Sequence, residues 1–163
     1  MKRAVGLGGE ETYWLVVLAE ACGRLGQVEE GLAVVAEALA LADKGVRVFE
    51  AEMYRLKGTL MLQSKTSHSQ VQGKSKVTNP QAPTPNPQAE AEACFLKAIE
   101  IARRQQAKSL ELRAAMSLSR LWQRQGKKKK ARQMLAEIYN WFTEGFDTKD
   151  LQDAKVLIEE LSH

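Results

Sequence analysis

Apolar residues recur at intervals of three and four through most of the chain, the spacing of one helical stripe facing a core. The stretch from Gln88 to Tyr139 shows it best: AEAEACFLKAIEIARRQQ, a short break, then LELRAAMSLSRLWQRQGKKKKARQMLAEIY. Three amphipathic helices follow from this pattern. In the first, Ala91, Phe95 and Ala98 form a small, large, small triplet on one face. The triplet returns as Ala131, Leu135 and Ile138, and stands earlier as Gly31, Val35 and Ala38. A pattern that recurs in register is the mark of an internal repeat.

In chain order, residues 1–10 (MKRAVGLGGE) carry three glycines and no periodicity, and read as a flexible lead. Their GLGG has neither the preceding strand nor the following lysine that a phosphate-binding loop needs. Helix 1 is predicted from about Glu11 to Arg24, burying Trp14, Leu15, Leu18, Ala19 and Cys22, with a turn at Leu25-Gly26. Helix 2 follows from about Val28 to Asp43, turning Gly31, Leu32, Val35, Ala38, Leu39 and Ala42 inward. Helix 3, from Val46 or Val48 to Ser64, is interrupted by Gly58. A glycine inside a helix costs about 1 kcal/mol against alanine, so close approach of another helix is expected there. Residues 65–87 contain no aromatic residue and hold all four prolines of the chain, between Pro80 and Pro87. Such a composition cannot repay the entropy of ordering and predicts a mobile insertion. Gly73-Lys74-Ser75 spells only the end of a nucleotide-binding loop, since His68 stands where the first glycine belongs. Pro80 and Pro83 have the PxxP spacing, for which a plain spacer is the simpler account.

Helix 4 is predicted over about Gln88 to Gln106 and helix 5 over Ser109 to Gln125, the latter packing Leu112, Ala115, Leu118, Ser119, Leu121 and Trp122. Gly126 repeats the role of Gly26. Helix 6 is drawn from about Lys128 to Glu144, stopped by Gly145, with Phe146 folding back on Trp141. A last helix, over 148–162 and capped by Asp147 or Thr148, sets Leu151, Ala154, Ile158 and Leu161 along one side and acids along the other. Its acidic outer face suits the closing helix of a repeat stack.

Composition narrows the class further. The chain has 163 residues, 27% charged and 44% apolar, as expected of a soluble globular domain. No run approaches the roughly 18 to 20 apolar residues of a membrane span, and the short apolar run Trp14–Ala19 is flanked by acids, unlike a signal peptide. A cytoplasmic location follows. Cys22 and Cys94 fall among apolar residues and read as core packing; His68 and His163 read as solvated. No metal spacing, nucleophile motif or His-carboxylate pair stands out, so no catalytic residue, metal or cofactor is expected and the chain reads as a non-enzyme. Charge is uneven. Residues 97–132 hold 12 basic and 2 acidic residues, a balance of +10, whereas residues 133–163 hold 2 basic and 7 acidic, a balance of −5.

The small residues fix the repeat length. Ala19 to Gly58 spans 39 positions and Ala91 to Ala131 spans 40, while Gly31 to Ala91 spans 60, the excess being the insertion. The unit is thus a helical hairpin of about 40 residues, present three times: residues 11–43, 46–106 and 109–144. This resembles the tetratricopeptide (TPR) repeat, whose hairpins pack through small residues in the first helix and an Ala-x3-large-x2-Ala run in the second. The unit is longer than the usual 34 residues, lacks the closing proline and has Gly31 for the customary alanine. The segments LAEACGRLGQVEEGLAVVAEALAL, AEMYRLKG and RAAMSLSRLWQRQGKKKKARQMLAEIYNWFTEGFDTKDLQDAKVLIEEL resemble the C-terminal repeats of bacterial ATPase proteins related to adenylate cyclases and LuxR-type regulators. The resemblance implies an all-α, right-handed α-solenoid of three hairpins with a capping helix. It implies the sensory or scaffold end of a signalling protein, without the catalytic parts.

In that family the first helices line a concave groove. Correspondence puts there Tyr13, Val16, Glu20 and Arg24; Glu52, Arg55, Thr59 and Gln63; and Arg113, Met116, Arg120 and Arg124. Five arginines among them suit an acidic peptide or protein surface, although the asparagines of the family's carboxylate-clamp members are missing. Two other readings stay open. Arg120, Arg124, Lys127–Lys130 and Arg132 could neutralise nucleic-acid phosphates, though no DNA-reading motif surrounds them. Self-association as a homodimer could cover an apolar edge at Trp14 and Val17.

Overall fold

The structure, a computed structural model, describes residues 7–68 and 86–163. Among these residues the chain is all α-helical, with no strand. Its helices are α1 (Leu7–Arg24), α2 (Val28–Asp43), α3 (Glu50–His68), α4 (Pro87–Arg104), α5 (Lys108–Arg124), α6 (Lys128–Tyr139) and α7 (Lys149–Leu161). Each helix packs on the next, and each odd-numbered helix also packs on the following odd one. Most of the expected lead, residues 1–6, and most of the expected insertion, residues 69–85 with the GKS and PxxP motifs, lie outside the described residues. At its borders α1 begins at Leu7, earlier than the apolar pattern indicated, and α3 runs on to His68. Pro87 opens α4, where Asn86 Oδ1 caps the helix by accepting from the Gln88 amide at 3.1 Å.

Four helix ends share one hydrogen-bond pattern. The amides of Gln27, Val46, Ala107 and Lys127 donate to the carbonyls of Cys22, Leu41, Ala102 and Trp122 at 2.9, 3.2, 2.9 and 2.8 Å. Each turn contains one residue with positive φ. Gly26 (φ 74°) and Gly126 (φ 78°) supply it without a Cβ penalty, and Gln106 (φ 55°) takes the same place after α4.

All nine residues of the three small, large, small triplets are buried. The close approach expected at Gly58 is present. A Cβ there would lie 2.7 Å from Phe95 Cε1 and 3.1 Å from the Ala91 carbonyl oxygen. In the corresponding place on α5, Ser119 Oγ donates to the Ala131 carbonyl at 3.4 Å. One cluster of buried side chains joins α1, α2 and α3 through Val16, Ala19, Val35, Met53 and Leu60. A second joins α4 to α7 through Phe95, Leu112, Leu118, Leu135 and Leu151, with Tyr54 and Leu62 of α3 packed against it. Cys22 and Cys94 are buried free thiols.

Three details differ from the sequence reading. On α1 the buried stripe is Thr12, Val16, Ala19 and Cys22, while Trp14 (67% exposed) and Leu18 (49%) face outward. The stripe must run through Ala19, the small residue of the close contact, and positions three and seven before it are 16 and 12, not 14 and 18. Helix α6 stops at Tyr139 instead of Glu144, as tighter bonds from Trp141 to Ile138 and from Phe142 to Tyr139 unwind its end. Phe146 therefore meets Tyr139, with ring centres 5.8 Å apart, and Trp141 meets Phe142. On α7, Leu157 is buried where Ile158 was expected, and the Thr148 hydroxyl donates to the Gly145 carbonyl rather than capping the helix.

Replacing Gly58 with alanine is expected to destabilise the protein by about 1–2 kcal/mol in urea unfolding. The helix-propensity gain of about 1 kcal/mol is outweighed by displacement of a buried ring. Combined with Phe95→Leu, which removes the opposing ring edge, Gly58→Ala should cost measurably less than in the wild-type background.

Candidate partner-binding face

The odd helices α1, α3 and α5 pack one on the next, and they carry all twelve of the predicted residues. Five of them converge. Glu20 and Arg24 of α1 and Arg55, Thr59 and Gln63 of α3 line one cleft of about 190 Å3. Gly23 forms part of its floor, and Gln63 Oε1 is buried with no hydrogen-bond partner among the described residues. An unmet acceptor costs about 1–3 kcal/mol, which makes this the point of the cleft that most favours an incoming N–H.

The charges in this set are largely committed. Glu52 is buried (3% exposed side chain) and accepts from Arg55 Nε at 3.0 Å on its own helix; Arg113 Nη1 of α5 lies 3.0 Å from it. Burial opposes the Arg55 charge, but the hydrogen bond and charge of Glu52, with Glu20 and Asp150 behind, raise its pKa above the usual guanidinium value. Arg113 also lies 3.9 Å from Asp150 of α7. Arg24 pairs with Glu20 at 2.8 Å across an exposed turn. Arg120 shares a cleft with Asp153 and Glu160 of α7. Neither Arg120 nor Arg124 has an ion-pair partner within 4 Å among the described residues. Tyr13 stands apart from the cleft, its ring 6.1 Å from Phe49 and 5.6 Å from Trp14. Val16 and Met116 are buried and so face the core, not a ligand. Most of the charges singled out are therefore neutralised within the fold, which sequence counting of arginines did not reveal.

Lys127 to Lys130 are exposed at the start of α6, whose first turn holds no acid. Cations there oppose the helix dipole. Lys130 Nζ sits 4.2 Å from the Trp122 ring centre, and Trp122 Nε1 donates to Glu92 at 3.1 Å. No three His, Cys, Asp or Glu residues among those described are grouped to hold a metal. The Cys94 thiol is pushed up by burial, against the nearby Lys57, and is not an activated nucleophile.

Sequence reasoning missed one cavity. It measures about 610 Å3 and lies between the start of α5, the 140–148 connection and the start of α7. Leu112, Trp141, Phe142 and Leu151 provide apolar walls, and Lys108 Nζ lies 5.3 Å from the Trp141 ring centre. The adjacent Trp-Phe pair was its only sequence signal, obscured by drawing α6 through both residues. No protein-family model matches this chain, and neither a curated protein nor a solved structure with significant similarity to it was found.

Because Glu52 joins α3 to α5, Glu52→Ala should cost about 3 kcal/mol in urea unfolding by stranding Arg55 and Arg113. Glu52→Gln, which keeps an acceptor, should cost less. Equal stability of Glu52→Ala and wild type would show that this pair does not hold the helices together.

Proposed function

We propose that this chain is a non-catalytic interaction scaffold: a right-handed solenoid of three tetratricopeptide-like hairpins closed by α7, holding an extended peptide across α1, α3 and α5. The carrying observation is the cleft between α1 and α3, where Glu20, Arg24, Arg55 and Gln63 meet around a buried, unmet acceptor. A peptide backbone N–H supplies the missing donor, and Arg24 and Arg124 are the cations best placed for a carboxylate on that peptide. The recurrence of the Gly58 contact at Ser119 supports the stacking of like hairpins. The same reading makes the chain a cytoplasmic sensory or regulatory module. No helix among the described residues is long and apolar enough to cross a membrane.

The test is to pan a random dodecapeptide library on the intact chain and measure the enriched peptides by fluorescence anisotropy. Thr59→Trp, which fills the cleft, should weaken them at least tenfold, and Arg124→Glu should weaken the acidic ones selectively. Peptides indifferent to both changes would remove the groove from consideration. The four cations opening α6 favour a second reading, polyanion binding. In that case a short duplex DNA should be retarded in a low-salt gel, and Lys128→Glu with Lys129→Glu should abolish the shift.

A further inference from the structure

We infer that the outward face of α1 is a docking surface for a cationic amphipathic helix. In register with the small residues Ala19, Gly58 and Ser119, positions Trp14, Leu18 and Ala21 of α1 correspond to Met53, Lys57 and Leu60 of α3. On α5 they correspond to Ala114, Leu118 and Leu121. The α3 and α5 residues other than Lys57 are buried. Leu60 shows what covers them: its two methyl groups lie 3.1 Å from the Cβ position of Gly31, so this side of α3 rests on the α1–α2 hairpin. The same side of α1 has no helix over it among the described residues, yet it keeps the large apolar residues of a covered face. Trp14, Val17, Leu18 and Leu25 are all exposed there. On the two later odd helices the occupant of this register is helical, and a helix seated by an apolar stripe is what these side chains fit.

Charge selects which helix. Residues 7–43 carry seven acids and a single base, Arg24, itself held by Glu20. Glu10 and Glu11 of α1 and Glu29, Glu30 and Glu37 of α2 are all exposed. A second copy offering the same hairpin would set acids against acids. One offering its C-terminal end would do the same, since residues 133–163 have a balance of −5. The complementary occupant is a helix with an apolar stripe flanked by lysine or arginine.

The probes are two synthetic amphipathic helical peptides with identical leucine stripes, one with lysine and one with glutamate on the polar face. Binding to the intact chain is followed by calorimetry at low and physiological salt. The lysine peptide should bind at least tenfold more tightly than the glutamate peptide. Trp14→Glu with Leu18→Glu should weaken it at least tenfold although the face becomes more acidic, which a purely electrostatic attraction would not do. Both side chains are exposed, and an unchanged circular dichroism melt checks that the variant folds. Val156→Glu, on the exposed side of α7, should leave binding unchanged. Equal affinity for the two peptides, or a double variant that binds as well as wild type, overturns the inference. So does sedimentation showing a wild-type dimer that the double variant abolishes, because the occupant is then a second copy.

Discussion

The structure depends on how closely α3 can approach α4. At Gly58 the two backbones come near enough that the ring of Phe95 and the carbonyl of Ala91 occupy the space of a side chain. Phe95 belongs to the α4–α7 cluster, whereas Leu56 and Leu60, on either side of Gly58, belong to the α1–α3 cluster. One missing Cβ thus lets two apolar clusters share a helix and pack continuously instead of standing as separate bodies. The helix-propensity cost of the glycine is offset by that contact, the most extensive of the helix pairs.

Polar chemistry then ties α5 to α3 and to α4. Glu52 draws Arg55 and Arg113 together, and Glu111, also buried, takes Arg103 Nε at 2.7 Å and Lys108 Nζ at 3.0 Å. Each carboxylate gathers two cations, so neither side of the interaction is left unpaired in a desolvated place. The result is a face whose charges are mainly internal fasteners. Its free chemistry lies in the cleft at Gln63 and in Arg120 and Arg124, and the strongly cationic group lies apart, at the start of α6. The α1–α2 hairpin has the opposite character, apolar and acidic.

Much of the fold was legible in the chain. Helix α2 has the predicted limits, and the periodic apolar positions named all nine triplet residues that the core buries. Gly58 could be read as a close contact because its cost inside a helix demands compensation. Five of the twelve residues singled out on the odd helices line one cleft. The misreadings are also physical. Helix α1 is apolar on more than one side, so periodicity alone left its rotation undetermined, and Trp14 and Leu18 were turned inward. The end of α6 was set five residues too late, because Gly145 is a stop signal whether or not the helix reaches it.

Local rules acting over a few residues, namely periodicity, propensity and turn chemistry, set the helices, the left-handed turn residues and the recurring small positions, and these the sequence determined by itself. Pairing of charges was decided only in the tertiary structure, since Glu52 meets Arg113 across 61 positions of chain and nothing local to either announces the other. The cavity beside Trp141 and the bare side of α1 arose in the same way. Each depends on which element arrives from a distance to cover a surface, and the rotation of a helix is settled by its neighbours once more than one of its sides is apolar.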